Sequence, residues 1–456
     1  MGRQQLLSAA VALFALVGEL LALAGGLFAF AFALDLDGAG ALSPILVATG
    51  ATAAVVLSLI LVRSGAGAGA LLSLSGLAPF AIFLIPYNNT GEKEPKKMAE
   101  YLVTGGTSFI ASHVVKALLD LGHSVRTTVR DSSGTLFSHK DSEAWSNSFD
   151  LLVLKWPSPF PCGSFLSFRK DEEKVSFLWE LKGAKERLKI HEADLTVEGS
   201  FNEAVFGVDG VFHIASRVSV CLNDNDLETL MESDVSGTRN LMNSCEKSRN
   251  TVKRIVLTSS STSVRYRFDA TKVSPLNESH WSDLDYCKRF KIWYGYVKTL
   301  WEKEAWKIAD EKKLNLVVVI PSFCIGPILS PKPTSSPLVL LSIVKGVRGE
   351  YPNFRGGFVH IDDVVAAQIL AMEEPKASGR IICSSSSVAH WSEIIAMLRA
   401  KYPIYPYETK CGSEEGRDMP HSLDTRKIRD LGFASFKSLA EMFDDCIKCF
   451  QDKSLL

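Results

Sequence analysis

The chain has 456 residues, 50 of them basic and 51 acidic, for a formal net charge of −1. A length of this order predicts two or three structural units, and the balanced charge provides no basic footprint, so nucleic acid is not an expected partner. The charge is unevenly spread: between Gln4 and Tyr87 only Glu19, Asp35, Asp37 and Arg63 are charged.

That first stretch comes first in chain order. Residues 5–34 and 42–62 are apolar runs long enough to span a bilayer, and Leu71 to Pro86 is a shorter third. The first run lacks the short apolar core and cleavage site of a secretory signal, so it reads as a retained membrane helix. Gly25-Gly26 and the repeated Gly-Ala pairs suit close helix packing. Residues 1–97 are therefore predicted to be a hydrophobic helical extension with two or three transmembrane helices. The GEKEPKK segment ending at Lys97 favours a cytosolic catalytic part. On this reading the protein is membrane-associated through residues 5–86; without residues 1–97 it is cytoplasmic.

Beyond Lys97, short apolar strands alternate with amphipathic helices. Strands are predicted at Tyr101–Thr104, Ser124–Val129, Leu188–His191, Val211–Ile214, Arg254–Thr258 and Leu316–Ile320. Helices are predicted at Ser108–Leu121 and near 200–207, 226–247 and 290–311. This alternation predicts an α/β fold of Rossmann type, a doubly wound parallel sheet over 98–324, with a smaller substrate-binding part over 325–456. Residues 133–168 carry three closely spaced prolines and no clear period, an atypical insertion in a compact domain. Of nine cysteines only Cys446 and Cys449 are close in sequence, and they read as a buried and a half-buried thiol on a C-terminal helix. No metal site is predicted.

Four features carry chemistry. VTGGTSFIAS opens the first helix with Gly105 and Gly106 in place, while Ser108 and Ala111 stand where a phosphate loop would put its other glycines. Both replacements are small, so the helix amides still reach a phosphate. Arg130 ends the second strand, where a guanidinium suits the 2′-phosphate of NADP; Asp131 beside it leaves NAD open. Tyr294 and Lys298 in WYGYVKT are four apart and share one helix face. An ammonium there is expected to lower the tyrosine pKa toward the working range. Ser260, 34 residues earlier in LTSSSTSV, provides a hydroxyl for a substrate carbonyl, with Ser259 and Ser261 as adjacent alternatives. Tyr296 has no lysine four residues on.

These residues resemble the extended short-chain dehydrogenase/reductase superfamily, in the branch of plant dihydroflavonol and cinnamoyl-CoA reductases. TGGTSFIAS, VRTTVRD, ADLTVEGSF, GVFHIAS, RIVLTSS, WYGYVKT, PSFCIGP and GFVHIDDVVAA match in order from Met98 onward. More narrowly, RYRFDAT, NESHWSD, GEYPNF and SSSVAHWSEII are similar to the tetraketide α-pyrone reductase subgroup, which reduces a polyketide carbonyl on the route to sporopollenin in pollen walls. The resemblance implies an NADPH-dependent ketone reductase with a small polyketide or phenylpropanoid-like substrate. It implies that Gly105, Gly106, Thr107, Ser108, Phe109, Ile110 and Ala111 wrap the pyrophosphate, with Arg130 and Lys174 on the 2′-phosphate. Asp194 and Leu195 would contact adenine, and Ile214, Ala215 and Ser216 the ribose and nicotinamide side. Pro321, Ser322, Phe323, Cys324 and Ser336 would close over the nicotinamide. Ser260, Tyr294 and Lys298 would be catalytic, Tyr294 giving the proton and Lys298 also binding the nicotinamide ribose.

Two positions depart from the branch. Gly295 replaces the cysteine of the cinnamoyl-CoA reductase WYCY run, and Arg265 stands where dihydroflavonol reductases share an asparagine. Both argue against those substrates, which remain the alternative enzyme reading. A membrane-anchored NADP-binding protein without turnover is the alternative from another class. Met98 begins MAEYLVTGG as a short reductase would, so residues 1–97 are expected to come from a joined gene model and 133–168 from unspliced intron sequence.

Overall fold

The computed structural model describes residues 29–33, 43–47, 98–130, 172–216 and 227–456. The chain divides into two compact units, Met1–Pro86 and Tyr87–Leu456. In the first, β1 (Ala29–Ala33) and β2 (Ser43–Val47) pair antiparallel, Ala29 opposite Val47. The helical expectation fails for these ten residues, and AFAFA shows why: alanine and phenylalanine alternate with the period of a strand. The remaining residues of the expected spans lie outside the described residues, as does the 133–168 insertion. Among the described residues no helix is long and apolar enough to cross a membrane.

The second unit is built on a seven-stranded sheet. Its strands are β3 (Glu100–Val103), β4 (Ser124–Val129), β5 (Leu188–Glu192), β6 (Gly210–His213), β7 (Arg254–Thr258), β8 (Leu316–Pro321) and β11 (Gly379–Cys383). All neighbours pair parallel, in the order β11-β8-β7-β6-β3-β4-β5. The order reverses at β3, leaving a crevice outside the carboxyl ends of β3 and β6, where open α/β sheets bind their ligands. The six expected strands are all present, with ends within a residue of those predicted. The edge strand β11 was not expected; it lies past residue 324, so the sheet draws on the C-terminal part of the chain.

Alternation along the strands sorts the core onto two faces. Val103, Val256, Val317 and Val319 pack with Val114 and Leu118 of the helix Phe109–Asp120 and with Val364 of the helix Ile361–Glu373. Leu102, Ile255, Leu257, Val318 and Ile320 face Leu241 of the helix Leu227–Lys247 and Trp301 of the helix Trp293–Lys312. Each fully buried aliphatic side chain stabilises by roughly 1.5–3 kcal/mol relative to exposure. A smaller sheet of β9 (Phe323–Ile325), β10 (Arg355–His360) and β12 (Val388–His390) follows β8. Cys446 is buried and Cys449 half-buried on the helix Leu439–Asp452, as their spacing predicted.

Candidate active site

The loop after β3 is shaped by steric exclusion. Gly105 has φ +73°, and a Cβ there would lie 3.1 Å from the Ala215 Cβ. At Gly106 a Cβ would lie 2.2 Å from Thr127 Oγ1 on β4. These are the two glycines the loop retains. Ser108 is the N-cap of the Phe109–Asp120 helix, with extended backbone (φ −78°), and Ala111 is buried inside it, so neither position needs a left-handed conformation. Phe109 is buried, while Thr107 and Ile110 are half-buried. Ser108 makes no side-chain cap, and its Oγ is buried without a hydrogen-bond partner. A buried hydroxyl at a helix N-terminus, beside a glycine-shaped backbone, fits a phosphate oxygen. The shape and the free hydroxyl are compatible with a dinucleotide pyrophosphate.

Thr104 ties the loop to the next strand. Its Oγ1 accepts from the Ile214 and Ala215 amides at 3.0 and 2.9 Å and lies 3.2 Å from His213 Nδ1. His213 Nε2 is 3.0 Å from Thr238 Oγ1, which also accepts from Trp301 Nε1 at 2.7 Å. Burial, with Lys298 nearby, pushes His213 down to about 3, so the imidazole is neutral. Ala215, opposite Gly105, thus sits on a rigid strut at the reversal of the sheet.

On the adenosine side, Arg130 is exposed at the end of β4. Lys174 falls in the helix Glu172–Trp179, its side chain outside the described residues. Asp194 turns its carboxylate inward: Oδ1 accepts from both the amide and the hydroxyl of Thr196 at 2.7 Å. Leu195 is buried against Gly237, and its carbonyl accepts from Asn240. Both residues therefore shape the turn after β5.

The serine run resolves cleanly. Ser259 Oγ donates to Glu302 Oε2 at 2.5 Å and Ser263 Oγ to the same atom at 2.6 Å, while Ser261 is buried. Ser260 is the one half-exposed serine of the run; it caps the 3₁₀ turn Ser261–Ser263 and favours the ionised form of the Tyr294 phenol. Glu302 is fully buried two turns after Tyr294, and its other oxygen receives Arg380 Nε from β11 at 2.6 Å. Arg380 also donates to the Glu278 carbonyl and lies 3.7 Å over the Trp281 ring. Glu302 and Arg380 hold the serine turn, and no local sequence signal announces them.

Lys298 Nζ donates to Ser216 Oγ at 3.0 Å, and Ser216 donates to Asp234 Oδ2 at 2.7 Å. Burial pushes Lys298 down while Asp234 and Glu302 oppose the shift. Its ammonium lies 4.0 Å over the Trp301 ring and 5.9 Å from the Tyr294 ring centre. The expected lowering of Tyr294 does not occur. Burial pushes the phenol up to about 12, with Ser260 opposing the shift and Asp234 and Tyr266 adding to it. Tyr296 packs instead with Trp293 and Lys288.

Pro321 ends β8, and Ser322 keeps a buried Oγ without partner near Gly357. The Phe323 ring packs edge-on to Phe358 and Trp391, and Cys324 belongs to the apolar core, its carbonyl accepting from Ser336 Oγ at 2.5 Å. Of this segment, Ser322 presents the unsatisfied polar atom.

A family model described as the NAD dependent epimerase/dehydratase family matches residues 101–383. Tetraketide alpha-pyrone reductase 2 of Arabidopsis thaliana is 63% identical over 359 residues, covering 79% of this chain and 100% of that protein. Tetraketide alpha-pyrone reductase 1 of the same plant is 39% identical over 78% of this chain and 96% of its own. Cinnamoyl-CoA reductase 2 of Medicago truncatula is 34% identical over 78% and 92%. Among solved structures, vestitone reductase from alfalfa (Medicago sativa) superposes with TM-score 0.58 at 30% identity, covering 78% of this chain and 100% of that one. With the phosphate loop, the Ser-Tyr-Lys face and the sheet order in agreement, the chain belongs to the NAD dependent epimerase/dehydratase family, among its plant reductases.

Proposed function

We propose that this chain is an NADPH-dependent reductase that converts the ketone of a tetraketide α-pyrone to a hydroxyl. The observation that carries the reading is the half-exposed Ser260 hydroxyl acting on the buried Tyr294 phenol, at the same sheet edge as the glycine loop. The 63% identity to a tetraketide alpha-pyrone reductase supports the substrate class. Gly105 to Ala111 would hold the pyrophosphate, Arg130 the 2′-phosphate, and Ser216 with Lys298 the ribose. Bound NADPH supplies the hydride. Ser260 and Tyr294 hold the carbonyl oxygen, and Tyr294, kept protonated by burial, gives its proton to the developing alkoxide. Ser260 is the neighbour that favours the phenolate left behind.

Gly295 counts against a cinnamoyl-CoA substrate: a side chain there would meet the Tyr266 ring at 2.8 Å. A place in sporopollenin precursor synthesis follows from the substrate class. The apolar residues 5–86 support membrane attachment on composition alone, tested by carbonate extraction of the full chain. The enzyme reading is tested by NADPH oxidation with a tetraketide α-pyrone and cinnamoyl-CoA in parallel. Faster turnover of the pyrone is expected; preference for cinnamoyl-CoA would overturn the assignment, and tight NADPH binding without turnover of either would favour a non-catalytic role.

A further inference from the structure

Lys298 is 4% exposed, and Trp301, three residues on in the helix Trp293–Lys312, is 1% exposed. Long side chains of a helix lean toward its N-terminus, so the indole lies back over the turn that carries the lysine. The ammonium stands 4.0 Å from the centre of the Trp301 ring. Among the described residues no carboxylate forms an ion pair with it; Asp234 is reached through the Ser216 hydroxyl. Burial pushes Lys298 down, the direction that works against its charge. An ammonium has three protons to place. Ser216 takes one, and on the reading above the nicotinamide ribose takes a second. The indole face meets the remaining side of the charge and attracts it through the ring quadrupole.

The indole is held in turn. Its Nε1 donates to Thr238 Oγ1 at 2.7 Å, and the ring stands edge-on to His213 with centres 6.0 Å apart. The direction of the bonds beyond it follows from Thr104. That hydroxyl already accepts from two amides, those of Ile214 and Ala215, so its own proton goes to His213 Nδ1. The neutral imidazole then carries its proton on Nε2 and donates it to Thr238 Oγ1. Thr238 Oγ1 thus accepts from both the imidazole and the indole, which fills its two lone pairs. Thr104 immediately precedes Gly105, so the ring under the ammonium is pinned to the strut that ends at the glycine loop. Filling this part of the core asks only for volume. A charge seated on the ring face and an anchored indole nitrogen ask for tryptophan.

We propose that Trp301 is a positioning residue for the reduction: its face holds the Lys298 ammonium where that ammonium meets Ser216 and the nicotinamide ribose. This rests on the reductase reading above. Trp301 acts through Lys298 and not on the substrate carbonyl, so its removal is expected in kcat and in cofactor affinity, with KM for the pyrone unchanged.

The test alters the electronics of the ring and leaves its size. In the full chain, tryptophan at 301 is replaced by its mono-, di- and trifluoro analogues through suppression of a nonsense codon. Each keeps the indole N–H for Thr238 and nearly the same volume, while each fluorine draws charge off the face. NADPH oxidation with a tetraketide α-pyrone is expected to lose about tenfold in kcat from tryptophan to the trifluoro analogue, in even logarithmic steps, the scale of a buried cation–π contact. A flat series would overturn the proposal and leave Trp301 a core side chain. NADP affinity, read by calorimetry, should fall in the same order. In a Lys298→Met background that dependence on fluorine number should vanish; a slope that survives without the ammonium would also overturn the proposal. If the unsubstituted chain turns over no pyrone, the reductase reading fails by itself. The calorimetric series still judges Trp301 in that case: affinity that falls with fluorine number keeps its hold on Lys298, and flat affinity ends it.

Discussion

The loop after β3 and the serine turn after β7 leave the same edge of one parallel sheet, yet they are held in different ways. The loop is defined by what cannot fit: Gly105 has a left-handed backbone close to Ala215, a Cβ at Gly106 would collide with Thr127, and the Ser108 hydroxyl has no partner. The serine turn is defined by what must be paired. Ser259, Ser263 and Arg380 converge on one buried carboxylate, Glu302, and leave Ser260 as the outward hydroxyl. Shape allows substitution wherever volume allows it, which is why serine and alanine replace two glycines at little cost. A buried charge network allows almost none.

The sharpest way to break this contrast is at the reacting atoms. Tyr294→Phe should lower kcat about 1000-fold, within the range for a lost general acid, with NADPH affinity nearly unchanged by fluorescence titration. Equal turnover would remove Tyr294 from the mechanism. Next comes Glu302→Gln, which leaves Arg380 buried without an anion and should cost about 3 kcal/mol in denaturant unfolding. If the network aligns Ser260, kcat should also fall while KM for NADPH holds; a variant with normal stability and rate would show that hydrogen bonds alone suffice.

His213 joins the two regions and tests both through pH. Its folded pKa of about 3 lies below the ordinary imidazole value, so the unfolded chain takes up a proton that the folded chain refuses. Its stability contribution is therefore present above about pH 6.5 and declines as pH falls, by roughly 2 kcal/mol between pH 7 and 5. His360 and His421, each pushed to about 4 by burial, act in the same direction. Urea midpoints that stay flat across this range would contradict the neutral strut. The smallest effect is expected in the loop: Ala111→Gly should destabilise by about 0.5–1 kcal/mol through backbone entropy and leave NADPH affinity alone. Tighter binding in that variant would mean the third glycine position does matter.

The strands were legible because short apolar runs bounded by glycine, histidine and serine leave little else to form; Ser124–Val129 and Arg254–Thr258 have the ends that were read. The Tyr-Lys pair and the glycine loop were legible from spacing. What stayed hidden depends on partners far along the chain. GRIIC is five residues long and becomes a strand only by pairing with β8. Glu302 reads as one more acid on a charged helix until Arg380, 78 positions on, closes over it. The direction of the Tyr294 shift differs from the expectation because burial, which spacing does not reveal, raises the phenol. In AFAFA, the length of the apolar run hid a local alternation.

The position of β11 also bears on how the protein is made. Synthesis proceeds from the N-terminus, so the first six strands of the sheet leave the ribosome while the seventh and its arginine are still to come. Until Arg380 arrives, Glu302 is a buried carboxylate without its cation and β8 is an open edge. A nascent or truncated chain ending before Gly379 is therefore expected to be protease-sensitive and prone to self-association, even with every residue of the Ser-Tyr-Lys face already translated.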